Sequence, residues 1–270
     1  MHDSITNRRP RAITARAPRT ACPLDRRDAE RLALALQRAG AAAGADVTDL
    51  LPTVGPFARA ALRRSCAYAH HGLLLFPASL DAAIGDFAAR RLEPVAPVPS
   101  VLVRGRLCAR FALEHDACDV SVTRLHSGPR AAGHDLEVFA FPQTAPALRP
   151  EIVDAERLLG YEDHLAVHVA QPDTPTLDRL MTILQADAGL VFEGGGHNPH
   201  EGAAGATVLY FVGETARSAY GRRARFERFE LYCEGDLSAV VDRHPVDREA
   251  VARAYARWAD IASPASARGT

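Results

Sequence analysis

The chain has no lysine: all 32 of its basic residues are arginine. A lysine Schiff base, a P-loop lysine and a lysine general base are therefore excluded. Cysteine is scarce. The five present, Cys22, Cys66, Cys108, Cys118 and Cys233, are odd in number and scattered, with no C-x-x-C pair. Neither a disulfide framework nor a structural zinc site fits that pattern, whereas a reducing cytoplasm does. No apolar run reaches the roughly 18 residues of a bilayer span. No G-x-S-x-G elbow occurs and most serines fall in loops, so Ser/His/Asp catalysis has no support. The net charge of −1 offers no field for nucleic acid or a membrane surface, and no basic aromatic surface compensates.

What is present is enough apolar sequence for a real core: 47% of 270 residues, sufficient for one large or two small domains. The Arg-rich start has no apolar h-region, so residues 1–24 read as a disordered leader rather than a secretory signal. Residues 25–66 read as two helices. From Ala67 the pattern becomes strand (67–76), helix (79–92) and three strands (100–113, 119–126 and 135–142). Ser79 is placed to cap the helix. A linker with a short helix (143–160) follows, and then the order repeats. A strand (163–172), a helix (174–189) and strands at 190–197, 206–213 and 225–235 complete a second unit, 161–240. An amphipathic helix, 246–262, closes the last segment, 241–270. The expected class is α+β, with two βαβββ modules, 67–142 and 161–240.

The repeat carries the chemistry. His71 opens the first strand of one copy and His164 that of the other, and Glu137 and Glu230 lie in the two last strands. The His-to-Glu separation is 66 residues in both copies. A lone histidine before an apolar strand is more often structural, but this matched pair points to metal ligation. His70 competes with His71; aligning HGLLLF with HLAVHV favours His71, since a one-residue slip would turn the side chain to the other face. Glu230, between Phe229 and Leu231, is costly to bury unpaired; a ligand role explains it, as would an Arg partner. Glu137 has three open readings: a fourth ligand, a hydrogen-bond acceptor for a ligand histidine, or an outward-facing residue.

Imidazole and carboxylate together suit Fe(II), Mn, Ni, Co or Zn. Two His and one carboxylate leave three positions open, as oxygen activation requires. Four protein ligands leave two, which suits a Lewis acid in isomerisation or epimerisation. With GHDLEVF (133–139) in a last strand, the chain resembles the vicinal oxygen chelate superfamily over about 67–235. That resemblance implies paired βαβββ modules in a half-open barrel around a metal. HHGLLLFPASL (70–80), YEDHLAVHV (161–169) and ARFERFELYCEG (224–235) are similar to segments of the 2-oxoadipate dioxygenase/decarboxylase family. This narrower resemblance implies Fe(II), with O₂ as cosubstrate, on His71, His164 and Glu230. That family has a carboxylate-clamping Arg three residues after its first His, where this chain has Leu74.

The leading expectation is thus a mononuclear non-haem Fe(II) dioxygenase acting on a small, anionic, 2-oxo-acid-type substrate. The alternatives are a redox-neutral glyoxalase- or epimerase-type enzyme with Glu137 as fourth ligand, and a metal-free binding or resistance protein. His168 shares a strand face with His164 and is a candidate proton donor. Arg104, Arg106 and Arg110 alternate along the expected strand 100–113; turned inward they would bind an anion. Arg110 and Arg124 are the chosen candidates, with Arg228 similar. GGGHNPH (194–200) reads as a turn over the pocket mouth and HDACD (115–119) as a turn. Such modules pair within or between chains, which leaves a homodimer among the expectations.

Overall fold

A computed structural model describes residues 23–51, 54–127, 134–201, 203–215 and 225–262. The expected leader lies outside these residues except for its end, and there Leu24 is 1% exposed within the core. Helix α1 (Arg26–Ala43) starts where the Asp25 carboxylate accepts from the Asp28 backbone N–H at 2.9 Å, a side-chain N-cap. Leu32, Ala35, Ala39 and Ala42 recur every three or four residues and form its buried stripe. Helix α2 (Pro56–Ser65) begins with proline, whose missing N–H costs nothing in a first turn.

The chain then runs through β1 (Cys66–Leu75), α3 (Leu80–Ala89), β2 (Leu92–Pro94), β3 (Val98–Pro99), α4 (Val101–Phe111), β4 (Ser121–Ser127) and β5 (His134–Ala140). Helix α5 (Pro150–Leu159) leads to β6 (His164–Val169), α6 (Thr174–Thr182), β7 (Val191–Asn198), β8 (Ala206–Thr215), β9 (Arg225–Glu234), α7 (Ser238–Arg243) and α8 (Arg248–Ala262). The fold is mixed α+β around one sheet of order β2-β4-β5-β1-β6-β9-β8-β7, with β3 also on β4. Among the described residues β2 and β7 are not paired with each other, so the sheet stays open. In each half the first strand lies parallel to the last, β1 to β5 and β6 to β9. The halves meet where β1 runs antiparallel to β6. No described helix is long and apolar enough to cross a membrane.

Strand alternation divides the side chains between two faces. Leu73, Leu75, Leu136 and Val138 pack under α1 and α3, while Leu165, Val167, Phe211 and Leu231 pack with α2 and α6. Each such buried aliphatic or aromatic side chain contributes about 1.5–3 kcal/mol. On the other face Leu74, Val122 and Phe139 pack against Val103 and Leu107 of α4. Toward the middle of that face the apolar residues give way to histidine, glutamate and arginine.

Two expected elements are corrected. Residues 100–113 do not form a strand; most of them form α4. Val103 and Leu107 are its buried residues, and Arg106 and Arg110 also lie four apart, so helical spacing prevails over β-branched content. The strand places in the first half go instead to the short, proline-containing β2 and β3. In the second half Gly194–Gly196 lie inside β7, within the expected strand 190–197, and the turn read at GGGHNPH is confined to its last residues. A Cβ at Gly195 would come within 2.1 Å of the Val208 carbonyl oxygen, so only glycine allows β7 and β8 to pair there.

Candidate metal centre

The two central strands and their parallel partners aim four side chains at one point. His70 from β1, Glu137 from β5, His164 from β6 and Glu230 from β9 each offer a ligand atom, all within 4.8 Å of one another. His70 Nε2 is 3.4 Å from Glu137 Oε2 and 3.6 Å from Glu230 Oε1. His164 Nε2 is 3.3 Å from Glu230 Oε2, 3.6 Å from Glu137 Oε2 and 3.4 Å from His70 Nε2. All four residues are buried.

Register explains the convergence. Gly72 pairs with Glu137 on one side and His164 on the other, and Ala166 pairs with Glu230. Paired residues share a face, and His70 lies two residues before Gly72. Gly72 itself has to be glycine: a Cβ there would lie 2.0 Å from His164 Cε1. The imidazole of His164 occupies the space that any other side chain at position 72 would fill.

His71 is therefore displaced as the expected ligand. It points to the opposite face, where burial, followed by Arg38, His164 and His70, holds its imidazole pKa well below the usual range. The cause is a shift in the β1–β6 pairing between Tyr68 and His70. Tyr68 pairs with Val167 and His70 with Ala166, so Ala69 is an extra residue in β1. This bulge inverts the alternation. Counted in twos from Ala67, His71 would face the site; with the bulge His70 does.

Buried groups of this kind demand a partner. Both Glu230 carboxylate oxygens are buried without a hydrogen bond. A carboxylate left so would cost several kcal/mol, on the order of 2–7 even for a neutral polar group. A divalent cation answers that need, and the N₂O₂ donor set suits one. The residues fit a metal ion. His164 is already oriented to bind one, because its Nδ1–H donates to the Glu162 carbonyl oxygen at 3.0 Å, directing the Nε2 lone pair inward. Burial alone would raise the Glu137 pKa, but the neighbouring His70 and His164 imidazoles and Arg124 outweigh it and hold it well below the usual carboxylate range. For His164 burial pulls downward, yet Glu230 and Glu137 prevail and raise it.

Behind His164 lies a second polar cluster. Arg228 is fully buried beside it in register and donates from Nε to Glu193 Oε2 at 2.7 Å and from Nη2 to Glu193 Oε1 at 2.9 Å. Its Nη1 reaches Glu162 Oε2 at 3.2 Å and the Tyr161 carbonyl. Arg106 binds Glu162 Oε2 through Nε and Nη2 at 2.9 and 2.6 Å. Arg110 bridges Glu156 Oε1 and Glu162 Oε1, each at 2.8 Å. Tyr255 of α8 completes the set by bonding to Glu193 and Arg228. Arg110, expected to meet a substrate, is thus neutralised inside a structural network.

The other expected residues divide. Arg124 sits beside the centre, with Nη2 3.5 Å from Glu137 Oε1 and 3.7 Å from Glu201 Oε2. His168 does not join it. Four residues along β6 is about 13 Å at strand rise, and its side chain is 39% exposed near Glu234 at 3.9 Å.

A cavity of about 320 Å³ opens onto Glu137. Val95, Val98 and Val122 form an apolar wall, faced by Arg124, Glu201 and Tyr232. Burial, then Glu137 and Glu230, push the Glu201 pKa up to about 8. Glu201 went unnoticed in the sequence because it follows GGGHNPH in a segment read only as a turn; its sole signal was an acidic residue at the expected pocket mouth.

No protein-family model matches the chain, and no curated protein matches it. Among solved structures the chain is similar to variants of the methylmalonyl-CoA epimerase of Streptomyces coelicolor in complex with 2-nitronate-propionyl-CoA. Two of these are 14% identical at a TM-score of 0.32, with 62% of this chain and 96% of theirs covered. A third is 13% identical at the same TM-score, covering 68% and 95%. So loose a likeness carries no activity or ligand across.

Proposed function

We propose that the protein is a metal-dependent, redox-neutral enzyme of the isomerase, epimerase or lyase type, acting on a small oxygenated organic acid. The supporting observation is the position of Glu137: its carboxylate lies in one buried group with His70, His164 and Glu230, their potential ligand atoms all within 4.8 Å of one another. Four protein ligands would still leave a divalent ion open to oxygen atoms of a substrate. When bound, the metal supplies Lewis-acid polarisation of a substrate carbonyl or carboxylate oxygen.

The chain's own residues would do the rest. His70 and His164 would turn imidazole nitrogens toward the ion, and Glu137 and Glu230 would offset its charge. The Glu162 carbonyl fixes the His164 ring, and the valine wall limits water at the reacting centre. The matching strand order of the two halves supports the two-module, half-open-barrel reading, with units at 67–142 and 161–240.

A second reading keeps Fe(II) and O₂, with His70, His164 and Glu230 as ligands and Glu137 held aside by Arg124. The proximity of Arg124 to Glu137 favours it, as does the sequence resemblance. Glu137→Ala separates the two. The four-ligand centre should lose metal affinity about 10- to 100-fold or more and lose turnover, with no O₂ consumed by wild type on a panel of 2-oxo acids. Full metal occupancy in Glu137→Ala, or stoichiometric O₂ uptake by wild type, would overturn the isomerase reading. His70→Ala should lose metal as Glu137→Ala does, whereas His71→Ala should stay within about twofold of wild type, because that side chain faces the helices. Metal titration of both variants checks this, and the reverse result would return the ligand role to His71.

A further inference from the structure

The cavity beside Glu137 has a recognition group and a proton-transfer group already in place. Three of the arginines near the centre, Arg106, Arg110 and Arg228, are matched to Glu156, Glu162 and Glu193 at 2.6–3.2 Å. Arg124 differs. Its closest carboxylate oxygens lie at 3.5 and 3.7 Å, beyond a good N–H···O bond, and its buried Nη2 makes no hydrogen bond. The guanidinium is held over the Tyr232 ring, 4.4 Å from its centroid, and borders the cavity. A carboxylate there would find a positioned fork.

Glu201 stands opposite and is fixed. Asn198 Nδ2 donates to its Oε1 at 2.6 Å, and the His200 backbone N–H donates to Asn198 Oδ1 at 3.1 Å, setting the amide's orientation. The other oxygen, Oε2, turns toward Arg124 and the cavity. At about 320 Å³ the space lies at the small end of ligand sites, which run to about 1,000 Å³.

We propose that this cavity binds a small 2-oxo or 2-hydroxy monocarboxylate, its carboxylate on Arg124, and that Glu201 transfers the proton at the carbon next to the carbonyl. This deepens the metal-enzyme reading and rests on it. In the step, the C–H bond breaks and its proton goes to Glu201 Oε2. The electron pair becomes the carbon–carbon double bond of an enolate, with the charge on the former carbonyl oxygen. Return of the proton to carbon restores the keto form, and no oxidant or reductant is needed. The apolar valine wall faces the short carbon chain, and Arg124 admits one carboxylate.

The test uses the full chain in excess Mn²⁺ with 2-oxobutyrate as probe. Calorimetry reads binding, and mass spectrometry of the probe recovered from D₂O reads exchange of the C3 hydrogens. Arg124→Gln should weaken binding about tenfold or more, the loss of a charge-assisted pair. Glu201→Gln should bind within about threefold of wild type yet lose about 100-fold or more of the exchange, as removal of a positioned base does. Equal binding by wild type and Arg124→Gln, including none by either, overturns the recognition role. Exchange by Glu201→Gln at the wild-type rate overturns the proton-transfer role. Mn²⁺ titration of wild type alone isolates the underlying reading, because it needs neither the probe nor the variants. Failure of wild type to bind Mn²⁺ refutes the metal centre, while the binding comparison still judges the cavity.

Discussion

Gly72→Ala should cost the protein its metal site through a single methyl group. The added Cβ would sit 2.0, 2.3 and 2.5 Å from three ring atoms of His164, closer than atoms can approach. β1 is paired on both sides, to β5 and to β6, so its backbone cannot withdraw. The His164 ring must turn away, losing its bond to the Glu162 carbonyl and its approach to Glu230. Metal affinity should fall about 100-fold or more, the upper range for disturbing a ligand's support. Stability of the metal-free protein should fall by about 1–3 kcal/mol, as overpacking does. Metal titration and urea unfolding of the metal-free form check the two effects. A Gly72→Ala protein that binds metal as wild type does would remove His164 from the centre.

The second large effect belongs to the arginine–glutamate network. Glu162 takes the side chains of Arg106, Arg110 and Arg228 and is itself fully buried. Glu162→Gln would leave those guanidinium groups short of a negative charge where water cannot supply one. Loss of one partner from a buried ion cluster typically costs about 3–5 kcal/mol, and urea denaturation at neutral pH should show a loss of that size. The pH dependence has a definite sign. Burial would raise the Glu162 pKa, but Arg106, Arg228 and Arg110 overcome it and hold the carboxylate well below its ordinary value of 4.5. A carboxylate depressed by folding adds its full stability above the unfolded value and loses it as pH falls through the folded one. The gap between wild type and Glu162→Gln should therefore be widest above about pH 5 and close only in strong acid. A gap that widened on acidification would contradict the ion-pair account.

Much of the candidate centre is legible in sequence because its residues lie in strands whose apolar neighbours mark them. Glu137 and Glu230 stand out as carboxylates within alternating runs, and His164 as the first residue of one. The choice between His70 and His71 was not legible. The equal 66-residue spacing favoured His71, whereas His70 lies 67 residues from Glu137. The additional residue belongs to the bulge at Ala69, which is a property of pairing with β6 and has no local signature. The same limit applies to α4. SVLVRGRLCARF satisfies both an alternating and a helical pattern, and the partners that decide it, Glu156 and Glu162, lie about 50 residues downstream. Arg106 and Arg110 therefore looked free until the fold brought their carboxylates to them. Glu201 was hidden for a third reason: its role comes from a cavity whose opposite wall, Val95 to Arg124, belongs to the other half of the chain.

The seam between β1 and β6 has a consequence for biosynthesis. His70 and His164 are 94 residues apart, and the last ligand, Glu230, lies in β9 between β6 and β8. A nascent chain emerging from the ribosome presents half a ligand set with the first unit and completes it only when β9 has joined the sheet. Any truncated fragment ending before Glu230 is left with an incomplete centre.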